Sequence, residues 1–133
     1  MDRLEQFRSA GRTLFSLGLV KGTEGSLSTY DGTTMWITTA GAALNELSGD
    51  EVVGGELDEP IPGSSSDVEV HRSTYRERGP GALAHAQPPG SAPKHGVGSG
   101  EDGITVFGPT LQEAAEDAVR QARALEGLDR GGA

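Results

Sequence analysis

Glycine interrupts this chain often enough to limit what it can bury: 21 of its 133 residues have no side chain, and apolar residues make up only 34%. Such a chain is built from turns and close backbone approaches rather than around a large oily interior. The length suffices for one core and falls short of two ordinary ones, so one loop-rich domain is expected. Helical periodicity appears near both ends. Leu4, Phe7, Leu14 and Phe15 share a face with Ala10 and Gly11, predicting a helix from Asp2 to Leu17. Thr110 with Glu113 opens a last helix, whose Leu111, Ala114, Ala115, Ala118, Val119, Ala122 and Leu125 form one apolar stripe. The domain is read as residues 1–126, followed by a flexible tail at 127–133.

Between these helices the pattern turns to short strands. Ser26 to Tyr30 and Met35 to Thr38 flank Asp31-Gly32, a hairpin signal that predicts an antiparallel pair. Ala42 to Leu47 suits a helical turn. Glu51-Val52-Val53 and Glu56-Leu57-Asp58 read as strand pieces broken by Gly54-Gly55. Ser66 with Glu69 forms a capping box for a helix that carries Val68, His71 and Tyr75 on one face and ends at Gly79-Pro80-Gly81. Ala82 to His85 and Ile104 to Phe107 are further strands. Gln87 to Gly103 is too rich in Gly, Pro and Ser for either periodic element.

Charge and composition exclude several functions. A net charge of −9 without any basic run argues against nucleic acid, whose binding rests on Lys/Arg contacts to phosphate. With no cysteine, a disulfide framework and a thiolate metal site are both ruled out, so a metal would sit on nitrogen and oxygen. The first residues are charged where a signal peptide needs an apolar core, and no apolar run approaches about 20 residues. The expectation is a cytoplasmic protein that neither enters a membrane nor is exported.

The residues that carry chemistry cluster in the second half. Ser65-Ser66-Asp67 puts a carboxylate at a helix start, His85 stands at a strand end, and His95-Gly96 lies in the Pro/Gly loop that follows. Taken singly, His85 suits a strand-end histidine satisfied by a carbonyl, His95 a solvated loop residue, and Ser66 a plain N-cap. Their order is more informative. With Gly22-Thr23-Glu24-Gly25-Ser26-Leu27-Ser28, Ile37-Thr38-Thr39-Ala40-Gly41 and Phe107-Gly108-Pro109-Thr110, they make a chain that resembles the class II aldolase/adducin family over most of its length. The resemblance implies a single α/β domain with a mostly antiparallel central sheet flanked by helices.

The resemblance also implies a site. The family's Ser-Ser-Glu element supplies an acid/base carboxylate, its His-x-His pair two zinc ligands, and its His-Gly motif a third. These positions fall here on Asp67, His85, Gln87 and His95. Asp67, His85 and His95 are thus the implied metal ligands, and Asp67 the implied catalytic base. The substrate phosphate is implied at Gly25, Ser26, Gly41, Ser65 and Ser66, where glycines and a helix start offer amide donors to an anion. The cofactor would be zinc, or manganese or magnesium, and the partner a small phosphorylated ketose or aldehyde cleaved or epimerised through an enediolate. Homo-oligomers are implied as well, since family members are commonly tetramers.

This chain departs from the family at several of these points. Asp67 is one methylene shorter than Glu, and Gln87 offers a neutral amide where the family has imidazole. Ser26 and Ala40 stand where the family has Asn and Thr. Only Pro88 to Lys94 separates the His pair from the His-Gly motif, where family members carry a strand and a helix, and neither Tyr30 nor Tyr75 matches a catalytic tyrosine. Two readings follow: a metal-dependent class II aldolase-type lyase or epimerase, or a non-catalytic association domain like the adducin head.

Overall fold

Strand alternation organises the structure, a computed structural model that describes residues 2–16, 25–86 and 104–131, with side chains of the last stretch described through residue 123. Five strands, β1 (Ser26–Tyr30), β2 (Thr34–Thr38), β3 (Val52–Glu56), β4 (Gly81–Ala86) and β5 (Ile104–Gly108), form one sheet in the order β3-β2-β1-β4-β5. Every neighbouring pair is antiparallel. The hairpin expected at Asp31-Gly32 joins β1 to β2, and the Asp31 carboxylate accepts from the Thr33 and Thr34 amides at 2.8 Å each. This is the local Asx bonding that makes Asp a turn former.

Successive side chains point to opposite faces, and both faces are covered. On one face Leu27, Ala82, Ala84, Ala86, Ile104 and Val106 pack under two helices, α1 (Arg3–Ser16) and α3 (Leu111–Gly131). The helices bring the stripes read in the sequence: Phe7, Ala10 and Leu14 from α1, and Leu111, Ala114, Ala115, Ala118, Val119 and Ala122 from α3. The small alanines of β4 let the helices approach closely. On the other face Met35, Ile37 and Leu83 meet Ile61 and Tyr75, the latter from α2 (Val68–Arg78). The Tyr75 ring lies between Tyr30 and Phe107, with centroids 5.3 and 6.2 Å away. The single domain with a central antiparallel sheet between helices is thus the fold expected.

Two local expectations are corrected. Gly54-Gly55 does not break a strand, because β3 runs straight through both. The Trp36 ring lies over Gly54, where a Cβ would come within 2.6 Å of it, and Ile61 covers Gly55. Neighbouring side chains thus fill the space that strand glycines leave. Ser66 does not cap α2 either. The N-cap position is Asp67, which makes no side-chain cap hydrogen bond to the helix, and its own amide donates to the Ser65 hydroxyl at 3.1 Å. Between β2 and β3 the predicted turn is a short 3-10 segment at Leu44–Glu46, against which α1 packs. The segment from Gln87 to Gly103 lies outside the described residues.

Candidate functional site

Register places three polar side chains in one row across the sheet. Ser26 on β1 pairs with His85 on β4, and His85 pairs with Thr105 on β5. All three point to the α2 face, where an otherwise apolar layer would be expected. Above the row stands Asp67, delivered by the Ser64–Asp67 turn, whose Ser65 amide donates to the Thr38 carbonyl at 3.0 Å. The helix start is therefore stitched to the end of β2, and the Asp67 carboxylate projects toward β1 and β4.

His85 is 4% exposed in its side chain and Asp67 is 20% exposed, so the pair sits at the mouth of the buried layer. Asp67 Oδ2 faces His85 Nε2 at 3.8 Å, too far for a hydrogen bond. The other ring nitrogen, Nδ1, lies 2.8 Å from Thr105 Oγ1, which fixes the ring's orientation. An imidazole held at one nitrogen by an outer partner, with the second aimed at a carboxylate across a gap, is the usual dress of a metal-ligating histidine. Two ligands with bonds of about 2.0–2.2 Å to one cation stand about 3–4 Å apart, so the gap suits a shared ion. These two residues fit a divalent cation. Among the described residues no group of three or more His, Asp or Glu side chains is gathered to hold one, and His95 and Gln87 lie outside the described residues.

Beside this pair runs a buried polar chain of hydroxyls around His71. Ser26 Oγ lies 3.0 Å from Asp67 Oδ2 and 2.8 Å from His71 Nε2. His71 Nδ1 meets Ser28 Oγ at 2.5 Å, and Ser28 Oγ meets Tyr75 Oη at 2.7 Å. Ser26, Ser28 and His71 are fully buried. Burial, with a smaller push from nearby His85, brings the His71 imidazole down from 6.5 to about 3, so the ring is neutral at ordinary pH. Burial also pushes the Tyr75 phenol above its usual 10.0, against the opposing effect of the Ser28 hydrogen bond. The available sequence signal was the period-2 run of Ser26 and Ser28 opposite the i, i+4 pair His71 and Tyr75.

The five residues implied for phosphate divide into two groups. Ser26 and Ser65 are buried, and their hydroxyls serve Asp67 and its amide. Ser66 and Gly41 are exposed and Gly25 half-buried, the two glycines at positive φ of 76° and 87° that suit residues without a Cβ. No described helix is long and apolar enough to cross a membrane.

Comparison with known proteins bears on the family and the fold. The sequence model of a family described as "Class II Aldolase and Adducin N-terminal domain" matches residues 5–93, more than half of the chain. A probable bifunctional methylthioribose-1-phosphate isomerase/methylthioribulose-1-phosphate dehydratase of Nocardia farcinica is 32% identical over 87 residues, which cover 61% of this chain and 16% of that protein. The crystal structure of L-fuculose-1-phosphate aldolase from Thermus thermophilus superposes with a TM-score of 0.61 at 34% identity, covering 67% of this chain and 47% of that one. YgbL of Klebsiella pneumoniae shares the fold more fully, with a TM-score of 0.73 at 22% identity over 93% of this chain and 88% of that one. The chain thus spans about half the length of the aldolase and a small part of the bifunctional protein.

Proposed function

We propose that this chain, which belongs to the class II aldolase and adducin family, is a metal-dependent lyase or epimerase that acts on a small phosphorylated ketose or aldehyde. The observation that carries the proposal is the aimed pair, Asp67 Oδ2 facing His85 Nε2 at 3.8 Å with Thr105 behind the imidazole. His85, Asp67 and His95 would hold a divalent cation, zinc by family resemblance or manganese or magnesium, and the cation would supply Lewis acidity toward substrate oxygens.

The chain's own residues have separate tasks in this reading. Asp67 moves a proton next to the substrate carbonyl, and its amide and Oδ2 are fixed by the Ser65 and Ser26 hydroxyls. For Nε2 of His85 to present a lone pair, Nδ1–H donates to Thr105 Oγ1. Gly25, Gly41 and Ser66 contact the substrate phosphate through backbone amides and the Ser66 hydroxyl, while Ser26 and Ser65 shape the floor beneath it. Family resemblance further suggests a homo-oligomer that completes the site.

The test has two parts. Zinc titration by calorimetry on the full chain, compared with His85→Ala and Asp67→Asn, should show binding that both substitutions weaken. Aldol cleavage or dehydration should then be sought on fuculose 1-phosphate and methylthioribulose 1-phosphate, the compounds in the names of its relatives. A folded protein that neither binds a metal nor turns over any sugar phosphate would instead be an association domain of the adducin kind.

A further inference from the structure

The buried chain beside Asp67 has a direction that follows from one end. A carboxylate only accepts, so the single Ser26 proton goes to Asp67 Oδ2, 3.0 Å away. Ser26 Oγ must then accept from His71 at 2.8 Å, which puts the ring proton on Nε2. A neutral imidazole has only one N–H, so Nδ1 accepts from the Ser28 hydroxyl. Ser28 has now used its proton, and at 2.7 Å it accepts from the Tyr75 phenol. All four polar hydrogens are assigned, running from Tyr75 to Asp67.

We propose that His71 is a positioning residue of the Asp67 site: held as its Nε2–H tautomer, it aims the Ser26 hydroxyl at Asp67 Oδ2 and so keeps the carboxylate in a single rotamer. The inference rests on the functional reading of Asp67 given above. It depends on a residue at 26 that both donates and accepts through one atom, which a serine hydroxyl does. The far end of the chain is a buried phenol that keeps its proton, so the chain orients and does not shuttle. The opposite direction requires a protonated Asp67 donating to Ser26, and it forces His71 into the Nδ1–H form. The tautomer therefore decides between the two.

The experiment is long-range proton–nitrogen correlation spectroscopy of the full chain labelled at histidine, with the His71 signals assigned by their loss in His71→Gln. At neutral pH the wild type should show a pyrrole-type Nε2 and a pyridine-type Nδ1; the reverse pattern overturns the proposal. In Ser26→Ala the link to Asp67 is cut, and the single-tautomer signature should be lost. If it persists, Ser28 and Tyr75 fix the ring alone and His71 does not position Asp67. Ser28→Ala should retain Nε2–H, since the carboxylate end still dictates it, and a switch to Nδ1–H would again overturn the proposal. Should Ser26→Ala fail to fold, the wild type and Ser28→Ala still decide. No metal or substrate enters these spectra, so a chain with the expected tautomer that binds no zinc would sink the catalytic reading and leave this geometry standing.

Discussion

Replacing Gly11 by alanine sets two physical effects of opposite sign against each other. Gly11 lies inside α1, where alanine is favoured over glycine by about 1 kcal/mol. On propensity alone the substitution stabilises. The structure argues otherwise, because a Cβ built on Gly11 would lie 2.0 Å from the Leu44 carbonyl oxygen and 2.8 Å from its carbon. A carbon and a carbonyl oxygen approach to about 3.3 Å at best, so α1 and the Leu44–Glu46 turn would have to separate by roughly 1.3 Å. The turn cannot yield easily. It is backbone on the near side, Leu44 and Leu47 are buried in the core, and Arg8 Nε of the same helix donates to the Leu47 carbonyl at 2.8 Å.

Overpacking of this kind typically costs about 1–3 kcal/mol and more where backbone must move. Taking the upper part of that range and subtracting the propensity gain leaves a net loss of about 1–2 kcal/mol. For a domain of this size that lowers Tm by roughly 5 °C. Urea unfolding followed by far-UV circular dichroism gives the midpoint directly, with Arg12→Ala on the exposed side of the same helix as a control for generic helix effects. A midpoint for Gly11→Ala at or above wild type would show that propensity wins and that the contact between α1 and the Leu44 carbonyl is not a constraint.

Acidification should destabilise the protein through His71: its folded value near 3 lies below the usual 6.5, so between these the unfolded chain binds a proton that the folded one refuses. Stability then rises with pH across this window and falls by about 1.4 kcal/mol per unit on going down it; His71→Gln should flatten that slope, and equal slopes in urea titrations at pH 4 to 6 would count against it. Gln87→His should tighten zinc binding about tenfold or more, because imidazole replaces an amide oxygen; equal calorimetric affinity would mean that residue 87 does not face the ion. Arg72 is buried, donates to Glu69 Oε2 at 2.7 Å and bonds the Glu59 carbonyl, tying α2 to the segment after β3. Arg72→Ala should therefore cost about 2 kcal/mol in the same unfolding assay, whereas Asp58→Asn, which removes an exposed partner of Arg76, should cost less than about 1 kcal/mol.

Elements whose periodicity is local were readable from the chain. The stripe from Leu111 to Ala122 and the Asp31-Gly32 hairpin are both found where spacing put them. What the chain did not disclose depends on partners distant in sequence. Gly54-Gly55 looks like a break until Trp36 and Ile61 are seen to cover it, 18 positions before Gly54 and six after Gly55. Thr105 looked like an ordinary strand residue, and only the β4–β5 register places its hydroxyl behind His85. His71 was legible as a member of one helix face with Val68 and Tyr75, but not that both its nitrogens are engaged by hydroxyls from β1. Family resemblance supplied Asp67 and His85 as members of one site, and in the fold they face each other. The third donor it named, His95, lies outside the described residues.

The two helices that cover the apolar face of the sheet come from opposite ends of the sequence, and they touch: Ser9 Oγ donates to Gln112 Oε1 at 3.1 Å. This has a consequence for synthesis. A nascent chain that has emerged as far as β5 holds all five strands, yet the alanine-rich surface of β4 and β5 still lacks α3. Until then α1 has only half of its docking surface. The chain is therefore exposed to self-association for longer than a protein whose helices follow the strands they cover. Pulse-labelled hydrogen exchange during refolding should protect the β1–β2 hairpin amides first and those of α1 together with α3; early protection of α1 alone would contradict this order.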